Sequence, residues 1–405
     1  MKILFISDNF PPEVNAPATR TYEHCREWVK QGAEVTVITC APNFPQGKLY
    51  TGYRNRLYQT EIIDGIKVVR VWSFIVSNAG FAKRILDYLS FAFMAFWAGL
   101  FKKTDVIVAT SPQFFATFTG FALSIFKRRP WVFELRDLWP ESIVTVGAMK
   151  RGLAIKTLEK IERFMYRQAD LVVAVTPAFK SRLIEYGILE EKVVVVTNGA
   201  NLEHFSPRPP DKELIEKLNL EGTFVVGYIG THGMAHGLDF VVETIADLGH
   251  QLPSLRFLCI GDGAQKQQVI NYAQSLNCSN VVFLDPITKE DVPRYLSALS
   301  TVIVPLRKSD TFKTVIPSKI FEACAMQKPI LLGVDGQARE VLEHYGAGIF
   351  FEPENPESLT EALLLMANDK ENYKKAEGGC DALAKQFDRV KLANEMLTAL
   401  STLKR

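Results

Sequence analysis

Most of the signals that settle a protein's class at a glance are missing from this 405-residue sequence. Its six cysteines, Cys25, Cys40, Cys259, Cys278, Cys324 and Cys380, are scattered without a C-x-x-C pair, which excludes a zinc ribbon or a thioredoxin-like motif and fits reduced thiols in the cytosol. Neither sign of charge prevails. The 47 Lys and Arg against 45 Asp and Glu leave +2, so no basic face dominates as it does in a nucleic-acid binder, and no nucleic acid is expected as a partner. No G-x-x-x-x-G-K-[ST] loop is present, and the nearest approach to a dinucleotide fingerprint, IGDGAQK at 260–266, carries Lys266 where the third glycine belongs. His232 and His236 sit in THGMAHG without the glutamate of H-E-x-x-H, and no Asp-x-Asp dyad stands ready for a cation, so no metal site is expected. The longest apolar run, Leu89 to Phe101, gives thirteen residues and roughly 20 Å of helix, short of the bilayer's hydrocarbon core. The opening MKILFISDNF runs straight into a strand pattern instead of a secretory signal, so the protein is expected in the cytoplasm.

What remains is an ordinary globular composition, 47% hydrophobic and 23% charged, with chain enough for two or three domains. Short β-branched runs recur between helical stretches: KILFIS, EVTVITC, IKVVRV, DVIVAT, PWVFEL, LVVAVT and VVVVTNG, then TFVVGYIG, LRFLCIGDG, VVFLD, TVIVPL, PILLG and GIFF. Their near-continuous Val and Ile content predicts parallel strands with helices on both faces. Between the two series, NLEHFSPRPPDKELIEKL at 201–218 interrupts the pattern with three prolines. The expected fold class is α/β: two doubly wound Rossmann-like domains over residues 1–200 and 201–388, then a helix within 389–405 that is free to pack back on the first half. No internal repeat or low-complexity segment interrupts this scheme.

In open parallel sheets ligands lie beyond the carboxyl ends of the strands. Three glycine-bearing loops follow strands here, TNGAN at 197–201, IGTHG at 229–233 and IGDGA at 260–264. Glycine lets backbone N–H groups approach a phosphate closely, although each loop taken singly reads more simply as a tight turn. The segment PSKIFEACAMQKPILLG at 317–333 sets Lys319 and Glu322 three apart on one face of a helix opening. A lysine there opposes the helix dipole, which points to an anionic partner, and Glu322 is placed to accept the two hydroxyl hydrogen bonds of a ribose diol. A surface ion pair explains the same spacing. In the first half, FELRDLWPES at 133–142 crowds Glu134, Arg136, Asp137 and Glu141 just past a buried strand, either as a catalytic edge or as a salt-bridged loop. The proline-rich loop SDNFPPEVNAPATR at 7–20 makes a rigid polar rim.

These loops, together with VVFLDPITKEDVPRYLSALSTVIVPL, resemble over essentially the whole chain the retaining GT-B glycosyltransferases of group 1, also called family 4. Within that family the sequence resembles bacterial transferases of O-antigen and capsule assembly, especially N-acetyl-L-fucosamine transferases, which share the SDNFPPEVNAPATR and FELRDLWPES style of loop. The resemblance implies a UDP-sugar held by the second half, a lipid-linked saccharide acceptor held by the first, and reaction in a cleft between them. It implies donor contacts from Gly230, Thr231, His232, Gly233 and Gly261, and from Lys313, Thr314, Pro317, Ser318, Lys319 and Glu322. Among these, Lys319 and the loop Gly230 to Gly233 would meet the diphosphate and Glu322 the ribose. It implies Asp137 as the catalytic candidate beside the reacting sugar, with Asn15, Arg20, Glu134 and Arg136 toward the acceptor. No cofactor beyond the nucleotide-sugar substrate, and no metal, is implied. Two positions depart from the family pattern: Thr314 stands eight before Glu322 where a glutamate is usual, and His232 and His236 occupy the loop where Arg and Lys are usual. Lys313, Arg307 or His232 is expected to take over the clamp.

The stretch FAKRILDYLSFAFMAFWAGLFKK at 81–103 flanks an apolar helix with Lys83, Arg84, Lys102 and Lys103, which suits peripheral contact with the cytoplasmic face of an anionic inner membrane. A helix apolar on all sides suits burial against a sheet equally well. Two other classes stay open on the residues: a UDP-sugar 2-epimerase of the same fold, and a non-catalytic two-lobed binding protein, against which the missing export signal argues.

Overall fold

Strands form where the β-branched runs lie, and several are buried along their whole length because helices cover both faces of each sheet. The computed structural model describes residues 1–44, 46–76, 81–141 and 152–403. They divide into two units, Met1–Thr197 with Arg389–Arg405, and Asn198–Asp388.

In the first unit β1 (Lys2–Ile6), β2 (Glu34–Cys40), β3 (Tyr58–Ile63), β4 (Ile66–Val71), β5 (Val106–Thr110), β6 (Trp131–Leu135), β7 (Leu171–Ala174) and β8 (Val193–Val195) form one sheet in the order β3-β4-β2-β1-β5-β6-β7-β8. Its centre is parallel, with Ile3 beside Val35 on one flank and Val106 on the other. The edge strand β3 runs antiparallel to β4, and it corrects the wholly parallel reading of this half. Asp64 and Gly65 turn the hairpin at positive φ, 46° and 79°, the Asp-Gly geometry that favours a tight antiparallel return. In the second unit β9 (Phe224–Ile229), β10 (Leu255–Ile260), β11 (Val281–Leu284), β12 (Thr301–Pro305), β13 (Ile330–Gly333) and β14 (Gly348–Phe350) form a parallel sheet in the order β11-β10-β9-β12-β13-β14. The strand order reverses beside β9 and β1, which puts crevices at the carboxyl ends of those strands.

The helix Phe81–Leu100 buries Phe91, Ala95 and Gly99. A Cβ at Gly99 would come within 2.5 Å of Leu123 and 3.3 Å of Ile38, so glycine sets how closely this helix lies on the sheet. No helix among the described residues is long and apolar enough to cross a membrane. The cysteines are free thiols, and only Cys278 is more than marginally exposed.

The last helix, Arg389–Ser401, belongs to the first unit: Leu392, Ala393, Met396 and Leu400 join Phe5, Trp28 and Val37 in its core. Trp28 Nε1 donates to the Ala393 carbonyl at 2.8 Å, and Arg389 pairs with Glu23 at 2.8 Å with both side chains 5% exposed. Met396→Ala is therefore expected to cost about 2–5 kcal/mol in urea denaturation, and exposed Thr398→Ala about 0.5 kcal/mol or less.

Glu13 fastens the loop after β1 by accepting the N–H groups of Asn43 (2.7 Å) and Phe44 (2.9 Å). Burial pushes its carboxyl up to about 7, only partly offset by those two amides. Between the ordinary glutamate range and pH 7 the unfolded chain has lost this proton while the fold retains it, so this group makes stability fall as pH rises. Glu13→Gln keeps the acceptor oxygen and removes the titration. Its stability relative to the parent is expected to rise by about 3 kcal/mol between pH 4.5 and pH 8, measured by urea denaturation at each pH.

Candidate active site

In the second unit the loops after β9 and β10 are pressed together through glycine. A Cβ at Gly261 would lie 1.9 Å from the Gly230 carbonyl oxygen, and one at Gly263 would lie 2.5 Å from that of His232. Both glycines sit at positive φ, 140° and 155°, so no other residue fits there without displacing the loop. Gly230 N–H donates to Ile260 at 2.9 Å and His232 N–H to Asp262 at 2.8 Å, which ties the two loops rung by rung.

The Lys319 side chain reaches this junction from the helix Lys319–Ala325. Its Cε would be 2.4 Å from a Cβ on Gly230, and its ammonium lies 5.1 Å from the centre of the Tyr228 ring. Tyr228 is itself held by a 2.6 Å bond from its hydroxyl to the Thr231 carbonyl. Lys319 forms no ion pair among the described residues, and burial lowers its pKa, with Glu322 pulling the other way. Two imidazoles flank it, with ring centres 5.8 Å (His232) and 5.9 Å (His236) from that of Tyr228. Burial, and then the neighbouring lysines, hold His232 below the usual histidine range; burial and Lys319 push His236 down to about 4. Both rings are thus neutral near pH 7. His232 Nε2 meets the Cys259 thiol at 3.5 Å, while the Nδ1 atoms of both histidines are buried without a hydrogen-bond partner. A cation and two uncommitted ring nitrogens stand together at this glycine junction, and that is an arrangement for an anion.

The other expected donor residues lie around this spot with different occupations. Thr231 and Gly233 belong to the loop itself, Pro317 and Ser318 lead into the helix that carries Lys319, and Glu322 follows one turn later, part-buried. Lys313 is exposed and paired with Asp310 at 2.8 Å, and Thr314 donates its hydroxyl to the Thr311 carbonyl. Arg307 is committed to Asp239 and Glu354 at 2.9 Å each and donates to the Met234 carbonyl. Its role is to brace the histidine turn, so of the residues expected to replace the clamp only His232 stands beside Lys319. Tyr228 and Cys259 escaped the sequence reading because inward positions on strands read as core. Among the described residues no three His, Cys, Asp or Glu side chains gather as a metal site.

In the first unit the expected residues separate into two layers. Arg20 and Glu134 pair at 2.8 Å with both side chains 1% exposed, and Arg20 also donates to the carbonyls of Val196 (2.8 Å) and Thr197 (2.5 Å). Both side chains expected toward the acceptor are thus buried and committed to each other and to these carbonyls. Asn15 caps the helix Ala16–Lys30, accepting from Ala18 N–H at 2.9 Å and donating to the Asn9 side chain at 2.6 Å. Arg136 and Asp137 lie nearer the surface, their backbone N–H groups directed at Ser111 Oγ (2.8 and 3.4 Å). Burial lowers the Arg136 pKa to about 10, Glu134 countering it, and its Nη1 is buried without a partner. Burial raises Asp137 to about 6, with Arg136 the only brake. Asp8 and Asp87, raised to about 6 by burial, complete an acidic rim that the sequence reading missed, although Asp8 directly follows the first strand. Glu141 approaches Arg182 at 3.8 Å, and Ser142 lies outside the described residues.

The family model described as glycosyl transferases group 1 matches residues 210–378, and the glycosyl transferase 4-like domain matches residues 15–199. The Escherichia coli (strain K12) protein WcaI, named for colanic acid biosynthesis, is 26% identical over 385 residues, 90% of this chain and 93% of that one. Bacillus subtilis (strain 168) TuaH, named for teichuronic acid biosynthesis, is 28% identical over 221 residues, 53% of each chain. Among solved structures, sucrose-phosphate synthase from Thermosynechococcus elongatus superposes with a TM-score of 0.80 at 16% identity over 98% of both chains. Anabaena Alr3699/HepE, solved in complex with UDP, gives 0.73 at 19% over the full length of both. Both units are thus matched along most of their length, and the chain belongs to the group 1 glycosyltransferases, enzymes of the GT-B fold.

Proposed function

We propose that this glycosyltransferase moves N-acetyl-L-fucosamine, or a related amino sugar, from a UDP-sugar to a lipid-linked saccharide during assembly of a surface polysaccharide such as O-antigen or capsule, with retention of configuration and without a metal. The reading is carried by the Lys319 ammonium under Gly230, which has no ion pair among the described residues and is flanked by the Nδ1 atoms of His232 and His236. A diphosphate is the anion that suits it, because the fold places this junction at the carboxyl edge of a parallel sheet, with the Glu322 carboxylate one turn away for the ribose. Support for uridine comes from the Anabaena structures, solved with UDP, with UDP and glucose, and with UDP-glucose. Support for a polysaccharide product comes from the relatives named for colanic and teichuronic acid biosynthesis. An acceptor carried on lipid puts the enzyme at the cytoplasmic face of the inner membrane, in contact through residues 81–103.

As the bond from the anomeric carbon to the phosphate oxygen breaks, negative charge grows on the leaving nucleotide. A fixed ammonium and oriented N–H donors meet that charge without reorganising, which lowers the barrier most in a site closed to water. The acceptor hydroxyl attacks from the same face, forms the new bond to the anomeric carbon, and passes its proton to the departing phosphate oxygen. Asp137, half-protonated near pH 6, offers a hydrogen bond to the sugar or the acceptor from the first unit.

Lys319→Ala is expected to weaken UDP binding by about tenfold or more, and His232→Ala to weaken it by a smaller factor, in calorimetric titration. Unchanged affinity in both variants would remove the diphosphate assignment. Nuclear magnetic resonance of the product should show the donor's anomeric configuration, with turnover that survives EDTA. An inverted product, or a glycosyl-enzyme trapped with a donor analogue, overturns the same-face mechanism, and donor turnover without acceptor marks an epimerase instead.

A further inference from the structure

The helices Phe81–Leu100 and Phe114–Lys127 lie side by side and parallel, joined in register along their length. Gln113 donates to the Tyr88 carbonyl, Thr119 to that of Ala92 at 2.8 Å, and Lys127 to that of Leu100 at 2.8 Å. Their carboxyl ends therefore meet at one corner. With Phe91, Ala95 and Gly99 buried, the opposite side of the first helix shows Leu86, Leu89, Phe93 and Trp97, at the spacing of one helical stripe. Phe93 is 62% exposed, Trp97 48% and Phe126 69%. These are not isolated apolar residues of the kind any surface carries. Ring centres run 6.3 Å from Phe93 to Trp97, 5.7 Å from Trp97 to Phe96 and 5.4 Å from Phe96 to Phe126, which makes one connected ridge.

Along the two helices the charge near the ridge is of one sign, and the nearest carboxylates past their ends, Asp105 and Asp170, are engaged by the N–H groups of Lys2 and Trp131. No acidic residue occurs in 88–104 or in 111–132, while Lys102, Lys103, Lys127, Arg128 and Arg129 crowd the corner where both helices end. Lys103, Arg128 and Arg129 are exposed there. A second copy of this chain would offer the same cations and no anions to these corners, and an uncharged apolar partner would leave them unanswered. A surface with acyl chains beneath anionic headgroups answers both features.

We propose that this two-helix face docks on an anionic phospholipid bilayer, with the ridge Phe93–Trp97–Phe126 at the acyl boundary and the basic corner among the headgroups. The proposal rests on the lipid-linked acceptor and on the membrane contact through residues 81–103, and adds to them the second helix, the residues that enter the bilayer and the corner that meets the headgroups. The full chain is mixed with phosphatidylcholine vesicles, with and without phosphatidylglycerol, and sedimented. Binding is expected to need phosphatidylglycerol, to fall about tenfold or more in Lys103→Glu/Arg129→Glu, and to disappear in Phe93→Ser/Trp97→Ser, while both variants keep the parent's melting temperature and UDP affinity. Equal binding to uncharged vesicles, no binding by the parent, or parent-like binding by either variant overturns the proposal. So does a lipid-free dimer that Phe93→Ser/Trp97→Ser makes monomeric. Failure of docking with UDP affinity intact leaves the transferase reading standing; absent UDP binding in a parent that docks defeats the donor assignment alone.

Discussion

An ammonium with no ion pair is costly to bury, and among the described residues Lys319 is held so beneath the glycine loop of the second unit, with the Glu322 carboxylate one turn away favouring its charge. The rest of the site follows from that cost. Gly230 is a glycine because the lysine stem occupies the place of a side chain, and Gly261 is a glycine because the Gly230 carbonyl occupies its own. Tyr228 gives the ammonium a polarisable ring to lie over, which eases its burial without neutralising it. The two histidines stay neutral in its field, so they add dipoles to the pocket and no further cations.

The first unit solves the opposite problem. Its carboxyl edge gathers Asp8, Asp87 and Asp137, each pushed toward neutrality by burial, around an arginine with an uncommitted nitrogen. Beneath them the Arg20–Glu134 pair joins the helix Ala16–Lys30 to β6 and to the carbonyls beyond β8. Removing one member of so deeply buried a pair leaves a charge with no partner, so the pair fixes geometry more than it adds stability. The helix Arg389–Ser401 completes the core of the same unit, so its stability depends on residues at the far end of the chain.

Several of these features were legible in the residues. The β-branched runs marked thirteen of the fourteen strands, because parallel strands buried on both faces leave a continuous apolar signature. The exception, β3, alternates exposed and half-buried side chains at a sheet edge and so lacks that signature. The three-residue spacing of Lys319 and Glu322 and the glycine loops were visible because their chemistry depends on local sequence. Tyr228 and Cys259 were not, since a strand residue that packs and one that lines a site look alike until the neighbouring loops are placed. The apolar helix Phe81–Leu100 has one face buried on the sheet and one exposed, which the run of apolar residues alone did not separate.

By itself the sequence determined the α/β class, the two series of strands, the family and the loops of the candidate site, since each is written in periodicity or in short spacing. Only the tertiary structure decided which charges are free. Arg20 and Glu134, 114 positions apart, became a buried pair, Arg307 was committed to Asp239 and Glu354, and Lys319 was left without a partner. The reason is physical: the worth of a charge depends on its distance to other charges and on the water removed from it, and neither quantity exists until distant segments of chain are brought together.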